Sequence, residues 1–368
     1  MKPVWSVECW RGVAAVLVVW THWAAALGQH QGLAAFAFTG VDIFFVISGF
    51  VFAPQLLGTQ PSGLRSYAMR RMLRIYPAYL TALALYVLLA WHGGRPLLYL
   101  AEHVLMAHVQ SREMAFYYTP PFWSLPAEVQ FYALVPLMAW VARTRGPDAW
   151  PWLLALAVLV RLALLPLADG TTQNLAYLLL HHLPGLLIEF LLGVWAWQRQ
   201  AQPWGHGRRV FWIVGGITGW LACAWLFGLV EGMPDRASWF NGQLGLPAAA
   251  SFACVLAASA TWQPSRGWLK AAGQWAGRLS YGVYLLHAAW TGVLVWTCTR
   301  WGIGGGLVVT CAGLLASVLL LHLLVEEHDL RPFAIPLLVI SVLQLFVIIY
   351  RYVFTNNPNG WMLLGDFT

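Results

Sequence analysis

Apolar segments long enough to cross a lipid bilayer recur along nearly the whole length of this 368-residue chain, separated by short polar stretches. Each runs to about 17–25 residues, which covers a hydrocarbon core of about 30 Å. Inside that medium a segment must satisfy its own backbone amides, so helices are the element the pattern admits. Composition agrees: 60% of residues are hydrophobic and only 10% charged, with a mean hydropathy of +0.65, unlike a soluble domain. The expected fold is all-α, a polytopic transmembrane bundle of ten or eleven helices. The spans fall near 9–28, 36–57, 74–92, 123–142, 150–168, 178–198, 210–229, 243–262, 279–298, 304–325 and 334–350. One membrane domain, 1–350, and a short tail, 351–368, organise the chain; no internal repeat is visible.

Orientation follows from the cations near span ends. With the N-terminus in the cytosol, fifteen of the 21 Lys and Arg fall on inner segments and five on outer ones, leaving Arg161 within a span. The basic residues are parcelled out among loops rather than gathered on one domain, so the net charge of +7 does not point to nucleic acid. It suits a multi-pass protein of the inner cell membrane. The five cysteines lack pairs or metal-ligand spacing and read as small core residues, with no metal site. The first apolar run carries Glu8, Arg11 and His22, a poor signal peptide, and is expected to be retained as a span. Several tryptophans, Trp91, Trp123, Trp150, Trp262 and Trp301 among them, lie near span ends as an interfacial belt would. The outer segment from Gly93 to Phe122 is expected to fold onto the bundle as one or two short helices.

Ionisable residues inside spans are costly and mark candidate sites. Arg11 and His22 share the first span; eleven residues return to within about 20° on the helix wheel and rise about 16 Å, so one face carries both at different depths. Asp42 opens the second span from the outer side, within Gly40-Val41-Asp42-Ile43-Phe44-Phe45-Val46-Ile47-Ser48-Gly49-Phe50. It either caps that helix or orients His22 as a base. Arg70, Arg71 and Arg74 share a helix face at the cytosolic side, which suits a polyanion such as nucleotide-like phosphates, or lipid headgroups. Glu128 and Tyr132 belong to the Phe122–Tyr132 stretch re-entering from outside; the carboxylate there binds a hydroxylated acceptor, pairs with Arg161 or passes protons. Tyr284 and His287 close the stretch Leu279–His287, with His287 near mid-membrane. Arg161 and Glu189 are read as a structural pair. No P-loop, dinucleotide fingerprint, zincin pair or Gly-x-Ser-x-Gly elbow is present.

Taken together, Arg11 with His22 after a ten-residue gap, the Gly40–Phe50 segment, Arg71-x-x-Arg74, the Trp123–Tyr132 block and Leu279–His287 resemble the acyltransferase-3 family of integral membrane O-acyltransferases. The resemblance runs from the first span to about His287. It implies an acyl group, commonly acetyl, taken from coenzyme A on the cytosolic side and delivered to a hydroxyl of a carbohydrate or glycolipid acceptor at the outer face. On that reading His22 is the general base, Asp42 orients it and Arg11 holds the donor or stabilises developing charge. Arg70, Arg71 and Arg74 bind the phosphates of acyl-CoA, while Glu128, Tyr132, Tyr284 and His287 contact substrate. No permanently bound cofactor is implied. Transfer is either direct or through a covalent intermediate, with Ser48 one candidate carrier. The segment Leu324–Phe333 departs from the family's closing Val-Glu-x-Pro pattern, and no role is carried onto Glu326. The competing reading from another class is a proton-coupled transporter or flippase, though the paired broken helices common to those are not evident.

Overall fold

The computed structural model describes residues 4–57, 63–146, 149–169, 173–230 and 234–326. Among them no strand is found, and ten helices of sixteen residues or more build the bundle. These are α1 (Trp5–Ala26), α2 (Gly40–Leu56), α3 (Leu64–His92), α4 (Leu125–Arg145), α5 (Ala149–Leu164), α6 (Leu183–Gln200), α7 (His206–Val230), α8 (Pro234–Ser259), α9 (Gly267–Leu286) and α10 (Thr291–Leu321). They overlie the first ten expected spans. The eleventh, 334–350, and the tail 351–368 lie outside the described residues.

Among the described residues seven stretches are long and apolar enough to cross a membrane: Gly32–Leu56, Arg70–His92, Pro120–Arg145, Trp150–Leu167, Leu175–Gln200, His206–Val230 and the 55-residue Gly267–Leu321. Their outward faces carry large apolar side chains such as Trp152, Phe211, Trp225 and Val308, each more than 60% exposed. Surface of that kind is stable only against lipid. The protein is a multi-pass membrane protein.

The end of the chain's described part departs from the expected spans in one respect. Helix α9 starts at Gly267, twelve residues before the apolar run that marks its span, because Gly273 and Gly277 turn that polar first half toward α1. A β-carbon on Gly277 would fall 2.0 Å from Glu8 Oε2, and one on Gly12 would fall 2.7 Å from the Ala276 β-carbon. Small residues at this spacing let two backbones close in. The contacts Trp5–Gly273 and Glu8–Gly277, followed by His22–His287, show that α1 and α9 run parallel. A 3₁₀ turn at His287–Trp290 and a break at Gly302 (φ 73°) then divide the remaining apolar stretch.

On the opposite side of α1, Gly40 packs over Ala14 and Val18. Helices α2 and α6 meet through Gly49 against the Phe190 carbonyl and Gly193 against the Val46 carbonyl. The segment from Gly93 to Phe122 forms the expected short helices, Leu100–Val104 and Arg112–Phe116, tied down by Tyr79 donating to the His103 carbonyl at 2.7 Å. His103 and His108 stack there with ring centres 4.2 Å apart. Burial, reinforced by neighbouring His103, lowers His108 to about 4, and burial lowers His103 as well. Of the proposed belt residues, Trp91, Trp262 and Trp301 are more than half exposed, whereas Trp150 is buried in the core. All five cysteines are free; Cys223 and Cys298 are buried, and Cys311 lies on an exposed face instead of in the core.

Candidate active site

Helix α1 is uninterrupted between Arg11 and His22, so both side chains keep the common face expected of them, and that face looks into the bundle. The parallel α9 brings His287 onto it. His22 Nδ1 lies 2.8 Å from the Val18 carbonyl and 3.2 Å from His287 Nε2. His287 Nδ1 in turn faces the Tyr284 carbonyl at 2.9 Å. A carbonyl only accepts, so each Nδ1 must carry the hydrogen. His287 Nε2 is then an acceptor for His22, and His22 Nε2 is left with its lone pair. Trp23 Nε1 donates to the His287 carbonyl at 3.2 Å and fixes the turn that carries this ring. His287 is fully buried; it is a partner of His22 here rather than an open substrate contact.

Asp42 does not fill the role the sequence suggested. The described partners of the His22 ring on the donor side are Val18 and His287, whereas Asp42 lies beside Glu189 and Arg161. Arg161 pairs with Glu189 at 2.7 Å and also donates to the Gly185 carbonyl at 3.1 Å. The physical reason is the close α2–α6 contact, which turns the Asp42 face toward α6. That pair also removes Arg161 as a partner for Glu128.

Below the imidazole pair lies a cavity of about 860 Å³. Arg11, Arg70, Arg71, Arg74 and Arg278 line it together with, among the described residues, two carboxylates, Glu8 and Glu128. Arg70, Arg74 and Arg278 are exposed and mark its mouth; Arg71 is half-buried with its guanidinium 4.8 Å over the Phe52 ring. Arg11 is held by Glu8 at 3.3 Å, one turn earlier in α1. The upper wall is apolar and hydroxylic: Phe44, Phe45, Ser48, Ser124, Tyr281 and Tyr284. Tyr284 exchanges a hydrogen bond with Ser124 at 2.7 Å and donates to the Pro121 carbonyl, placing its ring between cavity and His287, whose centre is 6.3 Å away.

Glu128, expected one or two turns below the outer surface, lines the same cavity as the arginines. Helix α4 begins only at Leu125, level with Tyr284 through the Ser124 contact, so Glu128 lies a turn deeper on the arginine-lined wall. Its Oε1 accepts from Ser48 Oγ at 3.0 Å and from Tyr132 OH. Arg70, Arg71 and Arg74 line this one cavity, and so do Arg278, Gln200, Gln274, Tyr281 and Ser124, which sequence reasoning missed. Arg278 had a signal: it directly precedes the Leu279–His287 stretch on the same helix. The glutamines had none, because nothing local ties them to the site. Among the described residues no cluster of His, Cys, Asp or Glu could hold a metal ion.

The family model described as an acyltransferase domain, of the acyltransferase-3 type, matches residues 4–326. The chain belongs to the acyltransferase-3 family. The match covers every residue of the cavity and of the imidazole pair. A protein of Komagataeibacter xylinus named membrane-bound transacylase BcsY is 33% identical over 153 residues, 36% of this chain. The match spans 36% of the length of that relative. No solved structure matches the chain.

Proposed function

We propose that this acyltransferase-3 member is a membrane O-acyltransferase that carries an acyl group, acetyl first among them, from acyl-CoA in the cytosol to a hydroxyl of an extracytoplasmic carbohydrate or glycolipid. The observation that carries this reading is the pairing on one helix of an arginine-lined cavity at Arg11 with an imidazole base at His22. Family membership and the transacylase relative support the reaction class. Ten crossings of the inner membrane, with the N-terminus cytosolic, bring the arginine mouth to the side where coenzyme A is found.

In this reading Arg70, Arg71, Arg74 and Arg278 take the donor phosphates through charge-assisted bonds, which guanidinium forks suit better than ammonium groups. Arg11, deeper and tethered by Glu8, faces the thioester end and stabilises negative charge developing on its carbonyl oxygen. At the outer end, the acceptor hydroxyl gives its proton to His22 Nε2. The Val18 carbonyl and His287 hold the tautomer that leaves this nitrogen free. Mass spectrometry of envelope glycans tests the proposal. Deleting the gene, or changing His22→Ala at equal protein level, is expected to remove one ester mass; an unchanged glycan profile in either strain overturns it.

A further inference from the structure

Serine and threonine hydroxyls inside apolar helices ordinarily fold back onto the carbonyl one turn earlier. Thr81, Thr297, Thr310 and Ser317 all do so here, bonding the carbonyls of Pro77, Val293, Gly306 and Gly313. Ser48 does not. Its hydroxyl leaves α2 and donates to Glu128 Oε1 at 3.0 Å on α4. Both residues line the arginine cavity, as does Arg11. A hydroxyl hydrogen-bonded to a carboxylate, beside a cation suited to a developing oxyanion, is the arrangement of an activated nucleophile.

The geometry points to Ser48 as a covalent acyl carrier, with Glu128 as its general base. This deepens the reading above and rests on it. Ser48 Oγ attacks the thioester carbonyl carbon while its proton passes to Glu128. The carbon–sulfur bond breaks, and the proton moves on to the departing thiolate, so the products are acyl-Ser48 ester and free thiol. In the second half the acceptor oxygen takes the acyl carbon, the Ser48–acyl bond breaks, and the acceptor's proton returns, by way of His22, to restore the Ser48 hydroxyl. Neighbouring Gly49 supports the geometry: its lack of a side chain lets α2 press onto the Phe190 carbonyl, which sets the rotation of α2 and with it the face Ser48 presents. Tyr132, donating to the same Glu128 oxygen, keeps the carboxylate from turning away.

The full-length protein in membranes is incubated with acetyl-CoA and no acceptor, then assayed for free thiol and digested for mass spectrometry. The wild type is expected to release about one thiol per protein and to carry an acetyl mass on the peptide containing Ser48. His22→Ala keeps that single release while losing turnover onto acceptor. Ser48→Ala loses the release, Glu128→Gln slows it by about 10²–10⁴-fold, and Ser48→Cys moves the label onto a thioester that neutral hydroxylamine cleaves. Turnover without any label at residue 48, or Ser48→Ala with normal thiol release, overturns the carrier and leaves donor use standing. A wild type that neither releases thiol from acyl-CoA nor acylates an acceptor overturns both.

Discussion

A backbone carbonyl accepts and never donates, and that simple fact assigns the protons of the two histidines. With the Val18 and Tyr284 carbonyls facing the two Nδ1 atoms, the pair has one arrangement in which both rings are neutral, and His22 Nε2 is its free base. Removing His287 frees the His22 ring to turn and to change tautomer without removing the base itself. His287→Ala is therefore expected to lower turnover per folded protein by about 10-fold or more, short of the ~10²–10⁴-fold loss typical when a general base is deleted. Asp42→Asn gives the opposite pattern, less folded protein with near-normal turnover of what remains, because Asp42 belongs to the Arg161–Glu189 cluster. Steady-state kinetics normalised to detergent-resistant folded protein separates the two. Equal turnover losses in both variants would return the orienting role to Asp42.

At the scale of elements, the bundle is positioned by glycine contacts more than by its large side chains. A β-carbon at Gly49 would fall 1.8 Å from the Phe190 carbonyl oxygen, whereas one at Gly215, on α7, meets nothing within 4 Å. Gly49→Ala is expected to cost about 1–3 kcal/mol by overpacking, seen as a lower Tm in detergent. Gly215→Ala should be neutral or stabilising by up to about 1 kcal/mol; equal Tm shifts would contradict the packing described. Hydropathy made the described spans legible because lipid leaves a helix no other way to satisfy its amides. It could not show the start of α9 at Gly267, since Lys270, Gln274 and Arg278 break the apolar run that periodicity reads. Nor could it show that α2 turns Asp42 toward α6: rotation of a helix about its axis is set by which neighbour its glycines touch, and apolar residues surround α2 on every side.

For the whole molecule, the account is one of direction. Five guanidiniums gather around a cavity at one end, and the imidazole pair lies beyond Tyr284 at the other. Arg11 and His22, about 16 Å apart along α1, mark the two poles, and this separation was legible because it needs only an unbroken helix. The membership of Glu128 in the lower pole was not, since depth in a bundle depends on where α4 begins. The proposed reaction uses donor from one face only. Sealed vesicles of known orientation, each holding the acceptor in the compartment next to the His22 end or the arginine end, are given labelled acyl-CoA on one side at a time. Label is expected on the acceptor only when acyl-CoA is at the face bearing Arg70, Arg74 and Arg278 and the acceptor is at the other. Transfer with donor and acceptor exchanged, or at equal rates from both faces, would contradict the account.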